Sequence, residues 1–300
     1  MALLTRAEWA TEVARGLVPD ALAPAIGLVS HLGDPVFLVA LLVLTYWFTD
    51  RERGVRLLGI GLGALALVIF LKNLLLVPRP TIGPPVPAES IPWLFRTSYR
   101  LASEADGYAI PSGHALGTTV VYLALAMRLG TSRAYGAAAA IIAGVGFARI
   151  YLGVHYLGDV VIGFLLGVTY LLLATRLLDD REPRVALWLA VGIGSLGVLA
   201  TAPIPTSDAM ATIGFATGAG VSWQATDVPT QPWSPSLALW RPLAVVGGVG
   251  LALGLVILGV GTEPLWVLVA AVLAGVTVVA VPGLRTGTPA DAATPPYREP

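Results

Sequence analysis

Arg56-Leu57-Leu58-Gly59-Ile60-Gly61-Leu62-Gly63-Ala64-Leu65-Ala66-Leu67-Val68-Ile69-Phe70-Leu71-Lys72-Asn73-Leu74-Leu75-Leu76-Val77-Pro78-Arg79-Pro80 is the stretch that decides the fold. Residues 57–71 carry no charge, and the run closes on Lys72, the only lysine in the chain. At about 1.5 Å rise per residue, about 20 helical residues cross a hydrocarbon core, and this run reaches that length with its flanks. A lysine inside lipid costs roughly 2.5–3.5 kcal/mol on insertion scales, so an ionisable group at this depth points to function.

The same pattern recurs outward from this stretch. Residues 134–148, 160–175, 242–262 and 264–284 are also free of charge. The 300-residue chain is 56% hydrophobic and only 12% charged, with a mean hydropathy of +0.80, too apolar for a soluble domain. In lipid the backbone must satisfy its own hydrogen bonds, and strand-like alternation is absent, so the spans are helices. The expected fold is all-α, a polytopic transmembrane helical bundle. A net charge of zero implies no nucleic-acid partner, and the absence of cysteine excludes disulfides and cysteine metal sites. The N-terminus lacks a basic region followed by an apolar core, so no cleavable signal is expected, and the first span serves for targeting.

Four regions are expected. Residues 1–30, with Trp9, Val13 and Leu17 at helical spacing, read as an amphipathic helix at the interface. Residues 31–202 form the main transmembrane core, with spans near 35–49, 55–77, 110–129, 133–150, 155–177 and 184–202. Residues 203–285 add C-terminal helices: 208–226 as a span or re-entrant hairpin, then 241–260 and 264–282. Their many glycines suit close helix packing, and Asp208, Asp227 and Glu263 are expected in loops. The tail 286–300 is expected to be disordered. Arg51, Arg53 and Arg56, then Arg128 and Arg133, then Arg176, Arg181 and Arg184 fall in connections on one side. The positive-inside rule assigns that side to the cytoplasm of a multi-pass cell-membrane protein. The Pro-rich loop 78–109 and the turn 149–155 then lie on the extracytoplasmic face.

The scarce basic groups gather at that face. Lys72 and Arg79 are two helical turns apart if the helix continues, and Pro80 would end it; a guanidinium fork and an ammonium both suit phosphate oxygens. Two cations snorkelling at a membrane border are the plainer alternative. Pro111-Ser112-Gly113-His114 opens a helix, with Ser112 as cap, free N–H groups as an anion site, and Gly113 letting a phosphate approach. His155 and Asp159 share one helical face, where a carboxylate fixes the tautomer of an activated histidine, as nucleophile or base. Arg149 precedes them across a turn. A catalytic divalent metal would want carboxylates or more histidines, so no metal and no cofactor is expected.

These three stretches resemble the three signatures of the type 2 phosphatidic acid phosphatase superfamily, whose pattern is K-x6-R-P, then P-S-G-H, then S-R-x5-H-x3-D. Lys72 to Pro80, Pro111 to His114 and Arg149 to Asp159 match in spacing and order, over about residues 30–178. Ala148 stands where the family usually has serine, a residue that the resemblance implies would support phosphate binding. The resemblance implies a six-helix core, with the C-terminal helices as additions. It also implies catalytic His155, His114 and Asp159: His155 attacks phosphorus to give a phosphohistidine, Asp159 orients it, and His114 protonates the leaving oxygen and then activates water. Lys72, Arg79, Ser112, Gly113 and Arg149 are the implied phosphate-binding residues.

The expected activity is therefore that of an integral membrane lipid phosphatase. It would act on a lipid phosphate or diphosphate such as a polyprenyl diphosphate, phosphatidate or phosphatidylglycerophosphate. A phosphotransferase using the same intermediate, and a non-catalytic phospholipid binder or transporter, are the alternatives. The lipid and the oligomeric state are not readable from the residues.

Overall fold

The computed structural model describes residues 8–200, 206–225 and 263–280. The expected helix at 241–260, Asp227 and the tail 286–300 lie outside the described residues. Among the described residues the protein is all helical, and the apolar helices make it a multi-pass membrane bundle.

The N-terminal region holds two helices, α1 (Glu8–Leu17) and α2 (Ala23–His31), which meet at 93° across a short turn. Pro19 and Pro24 account for the break, because proline lacks the N–H a continuous helix needs. The core helices follow: α3 (Pro35–Phe48), α4 (Arg51–Leu75), the short α5 (Trp93–Ser103), α6 (Gly113–Leu129), α7 (Ser132–Tyr151), α8 (Leu157–Leu178) and α9 (Arg184–Ala200). Then come α10 (Ser207–Ala225) and α11 (Pro264–Ala280). Residues 208–226 thus read as one helix, not a hairpin.

Helix α4, 25 residues long, is the axis. At about 1.5 Å per residue it exceeds the hydrocarbon thickness, which allows Lys72 to reach the border. Asp50 caps its start by accepting from Arg53 N–H at 2.8 Å. Its end comes at Leu75: Leu76 turns left-handed (φ 52°) and Pro78 and Pro80 prevent resumption. The helix therefore does not continue to Arg79, and that side chain reaches the site from an extended segment.

Glycines let neighbours approach α4 closely. A β-carbon at Gly59 would lie 2.5 Å from the backbone of Ala186 in α9, and one at Gly61 would lie 2.3 Å from Leu42 in α3. At one end of the bundle Arg56 donates to the carbonyls of Leu178, Asp179 and Arg181 (2.6, 3.0 and 2.7 Å), satisfying the C-terminus of α8. The expected arginine-rich connections 50–56, 129–133 and 179–184 all lie at this end, because consecutive core helices alternate in direction.

Helices α10 and α11 pack on this core. Gly214 abuts Leu268 O, Gly218 abuts Val272 O, and Ser222 Oγ donates to Val276 O at 3.1 Å. The contacts advance together, so the two helices run in the same direction. The end of α11 is held by buried aromatic donors of α3: Trp47 Nε1 donates to Val278 O (2.9 Å) and Tyr46 Oη to Val279 O (3.1 Å).

Candidate active site

The bundle end opposite the arginine-rich connections gathers the end of α4, the loop to α5, the start of α6, the end of α7 and the start of α8. The segment between α7 and α8 is a tight turn. Val154 and His155 N–H groups both donate to Arg149 O (3.2 and 3.3 Å), and Gly153 sits at φ +75°. A β-carbon on Gly153 would lie 2.4 Å from Gly83 O, so glycine also lets the Pro-rich loop close over the turn. Arg15 of α1 holds that loop, donating to Gly83 O at 2.5 Å and to Tyr151 O at 3.1 Å.

His155 lies in this turn, ahead of α8 and not on one helical face with Asp159 as the spacing suggests, and is 1% exposed. Arg79 Nη1 donates to its Nε2 at 3.2 Å and to Val154 O at 3.1 Å, while Arg79 Nε donates to Asp106 O at 2.9 Å. A guanidinium only donates, so His155 Nε2 must present a lone pair and Nδ1 must carry the proton. Nδ1 faces Asp159 Oδ2 at 3.4 Å, a long hydrogen bond. That same oxygen accepts from Tyr156 N–H at 2.9 Å and so caps α8. Burial, then the positive charges of Arg149, Arg79 and Lys72, hold the His155 imidazolium well below the usual histidine range. The side chain is therefore neutral, as an attacking imidazole must be.

Ser112 caps α6 as its sequence indicates, accepting from Ala115 N–H at 3.4 Å, while Pro111 lies one residue outside the helix. The Ser112 N–H donates to Asp159 O at 3.1 Å, so the starts of α6 and α8 are joined directly. Gly113 faces Val68, whose Cγ1 would be 3.1 Å from an added β-carbon. Arg149 is 3% exposed. Its Nη1 donates to Ser30 Oγ (2.7 Å) and Ala102 O (3.0 Å), and its Nε has no hydrogen-bond partner among the described residues. A buried donor without a protein partner is what an anion-binding guanidinium presents. Lys72 lines a cavity of about 220 Å³ with Asn73, Asp106, Tyr108 and Asp208. Its charge acts on His114 and His155 and meets those of Arg79 and Arg149.

The structure thus brings Lys72, Arg79, Ser112, Gly113, His114, Arg149, His155 and Asp159 to one end of the bundle. Two features escape sequence reasoning. Asp208, expected in a loop, stands in the first turn of α10 and lines the Lys72 cavity. His114 Nε2 lies 2.7 Å from Asp34 Oδ1, and Asp34 Oδ2 lies 2.5 Å from His31 Nδ1. The available signal was the remaining histidine, only three residues before an aspartate at the head of an apolar run.

The chain is similar to known proteins. The chain is 27% identical over 180 residues to phosphatidylglycerophosphatase B of Bacillus subtilis (strain 168), covering 56% of this chain and 74% of that protein. It is also similar to the crystal structure of the transmembrane PAP2-type phosphatidylglycerolphosphate phosphatase of Bacillus subtilis. There the TM-score is 0.49 and the identity 24%, over 58% of this chain and 84% of the other. The model of the PAP2 superfamily matches residues 53–183, the segment that runs from the head of α4 to the head of α9 and carries all three motifs. By that match and those motifs together, residues 53–183 are similar to the PAP2 superfamily.

Proposed function

We propose that this membrane lipid phosphatase works through a phosphohistidine on His155. The observation that carries the reading is the pair of contacts on the His155 ring: an arginine donor fixes Nε2 as a lone pair, and a carboxylate faces Nδ1. Nε2 attacks phosphorus, the bond from phosphorus to the lipid oxygen breaks, and His114 supplies the proton that oxygen takes. In the second step His114 removes a proton from water as its oxygen bonds to phosphorus. The phosphorus–nitrogen bond breaks, releasing phosphate and the neutral imidazole. Lys72, Arg79, Arg149 and the N–H groups at the head of α6 hold the phosphoryl oxygens as charge builds.

The substrate is a lipid phosphate, since the helix ends set the cradle at headgroup depth. Phosphatidylglycerophosphate is the first candidate, from the name of the Bacillus relative, with phosphatidate and polyprenyl diphosphates next. The arginine-rich connections at the opposite end support an extracytoplasmic site in the cell membrane.

The test is phosphate release by detergent-purified protein from this lipid panel, with EDTA present and with His155→Ala as control. Release that persists in EDTA and is abolished in the variant is the expected result. Release that survives His155→Ala would overturn the phosphohistidine.

A further inference from the structure

Asp34 and His31 lie outside residues 53–183 and outside the three motifs. Asp34 is the cap residue of α3, and its carboxylate sits between two imidazoles. A carboxylate accepts, so the nitrogens facing it, His114 Nε2 at 2.7 Å and His31 Nδ1 at 2.5 Å, each carry a proton toward it. His31 Nε2 in turn meets Ser98 Oγ at 2.8 Å and Ser98 O at 3.0 Å, which anchors the group to α5. Gly33 makes the approach feasible, because a β-carbon there would lie 2.9 Å from His114 Cδ2 and 2.8 Å from Val145 Cγ1. Burial alone would raise the Asp34 carboxyl, but hydrogen bonds from His114 and His31 outweigh it and hold the group below the usual carboxylate range. Asp34 is thus ionised at neutral pH.

We propose that Asp34, itself fixed by His31 and Ser98, is a positioning residue that binds His114 through Nε2 and leaves Nδ1 as the nitrogen that exchanges protons. The proposal rests on the phosphohistidine reading. When the lipid oxygen leaves phosphorus, it takes the Nδ1 proton of the His114 imidazolium, which becomes the neutral Nε2–H tautomer, still donating to Asp34. In hydrolysis Nδ1 accepts a proton from water while the water oxygen bonds to phosphorus and the His155 bond breaks. Asp34 keeps its charge throughout, as the carboxylate of a hydrolase triad does. The charged groups facing His114 are Asp34 at the head of α3, Arg149 from α7 and Lys72 from α4, with His31 behind Asp34. Two are cations that oppose an imidazolium, and Asp34 is the anion that favours it.

The test uses the full chain in detergent and compares kcat/KM for an alkyl phosphate monoester and for p-nitrophenyl phosphate. Nitrophenolate leaves without a proton, whereas an alkoxide needs one. Asp34→Asn should lower kcat/KM for the alkyl ester by about 100-fold and for the aryl ester far less. The alkaline limb of the alkyl pH profile should move to lower pH. His31→Gln should show the same dependence on leaving group at smaller size, and it carries the test if Asp34→Asn yields no folded protein. Equal losses on both esters with an unmoved pH profile would overturn the proposal and leave Asp34 a structural tie between His31 and His114. Absence of phosphate release from the wild type, or its survival in His155→Ala, would instead overturn the phosphohistidine reading and this proposal with it.

Discussion

The two histidines of the site each face an aspartate, and the two pairs are built in opposite ways. His155 and Asp159 are four residues apart on one turn and each 1% exposed, yet their contact is the longer, at 3.4 Å. His114 and Asp34 are 80 residues apart and more exposed, at 17% and 35%, yet they meet at 2.7 Å. The shorter bond of Asp159 goes to the Tyr156 N–H, so this carboxylate first fixes the head of α8 and, with it, the backbone that carries His155. Asp34 instead holds a ring. Closeness in sequence makes a pair visible; closeness in space decides which atom the carboxylate governs.

This contrast can be broken at several points. The largest effect is expected at the proposed nucleophile: His155→Ala should lower phosphate release by about 10⁴-fold or more, and acid-quenched protein should retain no phosphohistidine. Asp159→Asn comes next, with a loss of roughly 10³–10⁴-fold, because the tautomer that presents Nε2 is no longer favoured. Its loss should be the same for alkyl and aryl esters, which sets it apart from Asp34→Asn. A leaving-group dependence in Asp159→Asn would erase the division of labour between the pairs.

A pH measurement sharpens the same contrast. His155 has a depressed folded-state value, so it gains a proton only well below the usual 6.5. The acid limb of kcat/KM assigned to His155 should therefore lie well below 6.5, and a limb at 6.5 would count against a buried neutral nucleophile. The sign for stability follows. Below 6.5 the unfolded chain binds a proton that the folded chain refuses, so stability falls as pH drops through that range, in a chemical denaturation series. The smallest effect is expected at the anchor of the second pair: Ser98→Ala should lower alkyl ester turnover only a few-fold, since Ser98 O remains beside His31.

Much of this arrangement was legible in the residues. Uncharged runs located α4, α7 and α8 to within a few positions, whereas the spacing of His155 and Asp159 reads as one helical face although His155 lies in the turn ahead of α8. What stayed hidden was set by tertiary packing or by backbone choices that side-chain patterns do not report. The left-handed turn at Leu76 stops α4 before Arg79, although Leu74-Leu75-Leu76-Val77 reads as more helix. The break at Pro19 splits what periodicity alone presents as one N-terminal helix. Asp34 sits at the head of α3 like any helix cap, and only the fold of α3 against α6 brings it to His114. Asp208 enters the Lys72 cavity only because α10 packs beside α4 and α9, and nothing local to Asp208 signals that neighbour.

The glycine seam between α4 and α9 bears on where this molecule can be cut. The match to the superfamily stops at residue 183, one residue before α9 begins. Yet Gly59 of the matched segment is shaped to receive Ala186, and Trp47 and Tyr46 of α3 give their polar hydrogens to carbonyls at the far end of α11. A fragment trimmed to the matched residues would carry every motif, lose α3 with its Tyr46 and Trp47 donors, and leave the notched face of α4 without Ala186. The length that matches the superfamily and the length over which the helices fill one another's notches are different stretches of the same chain.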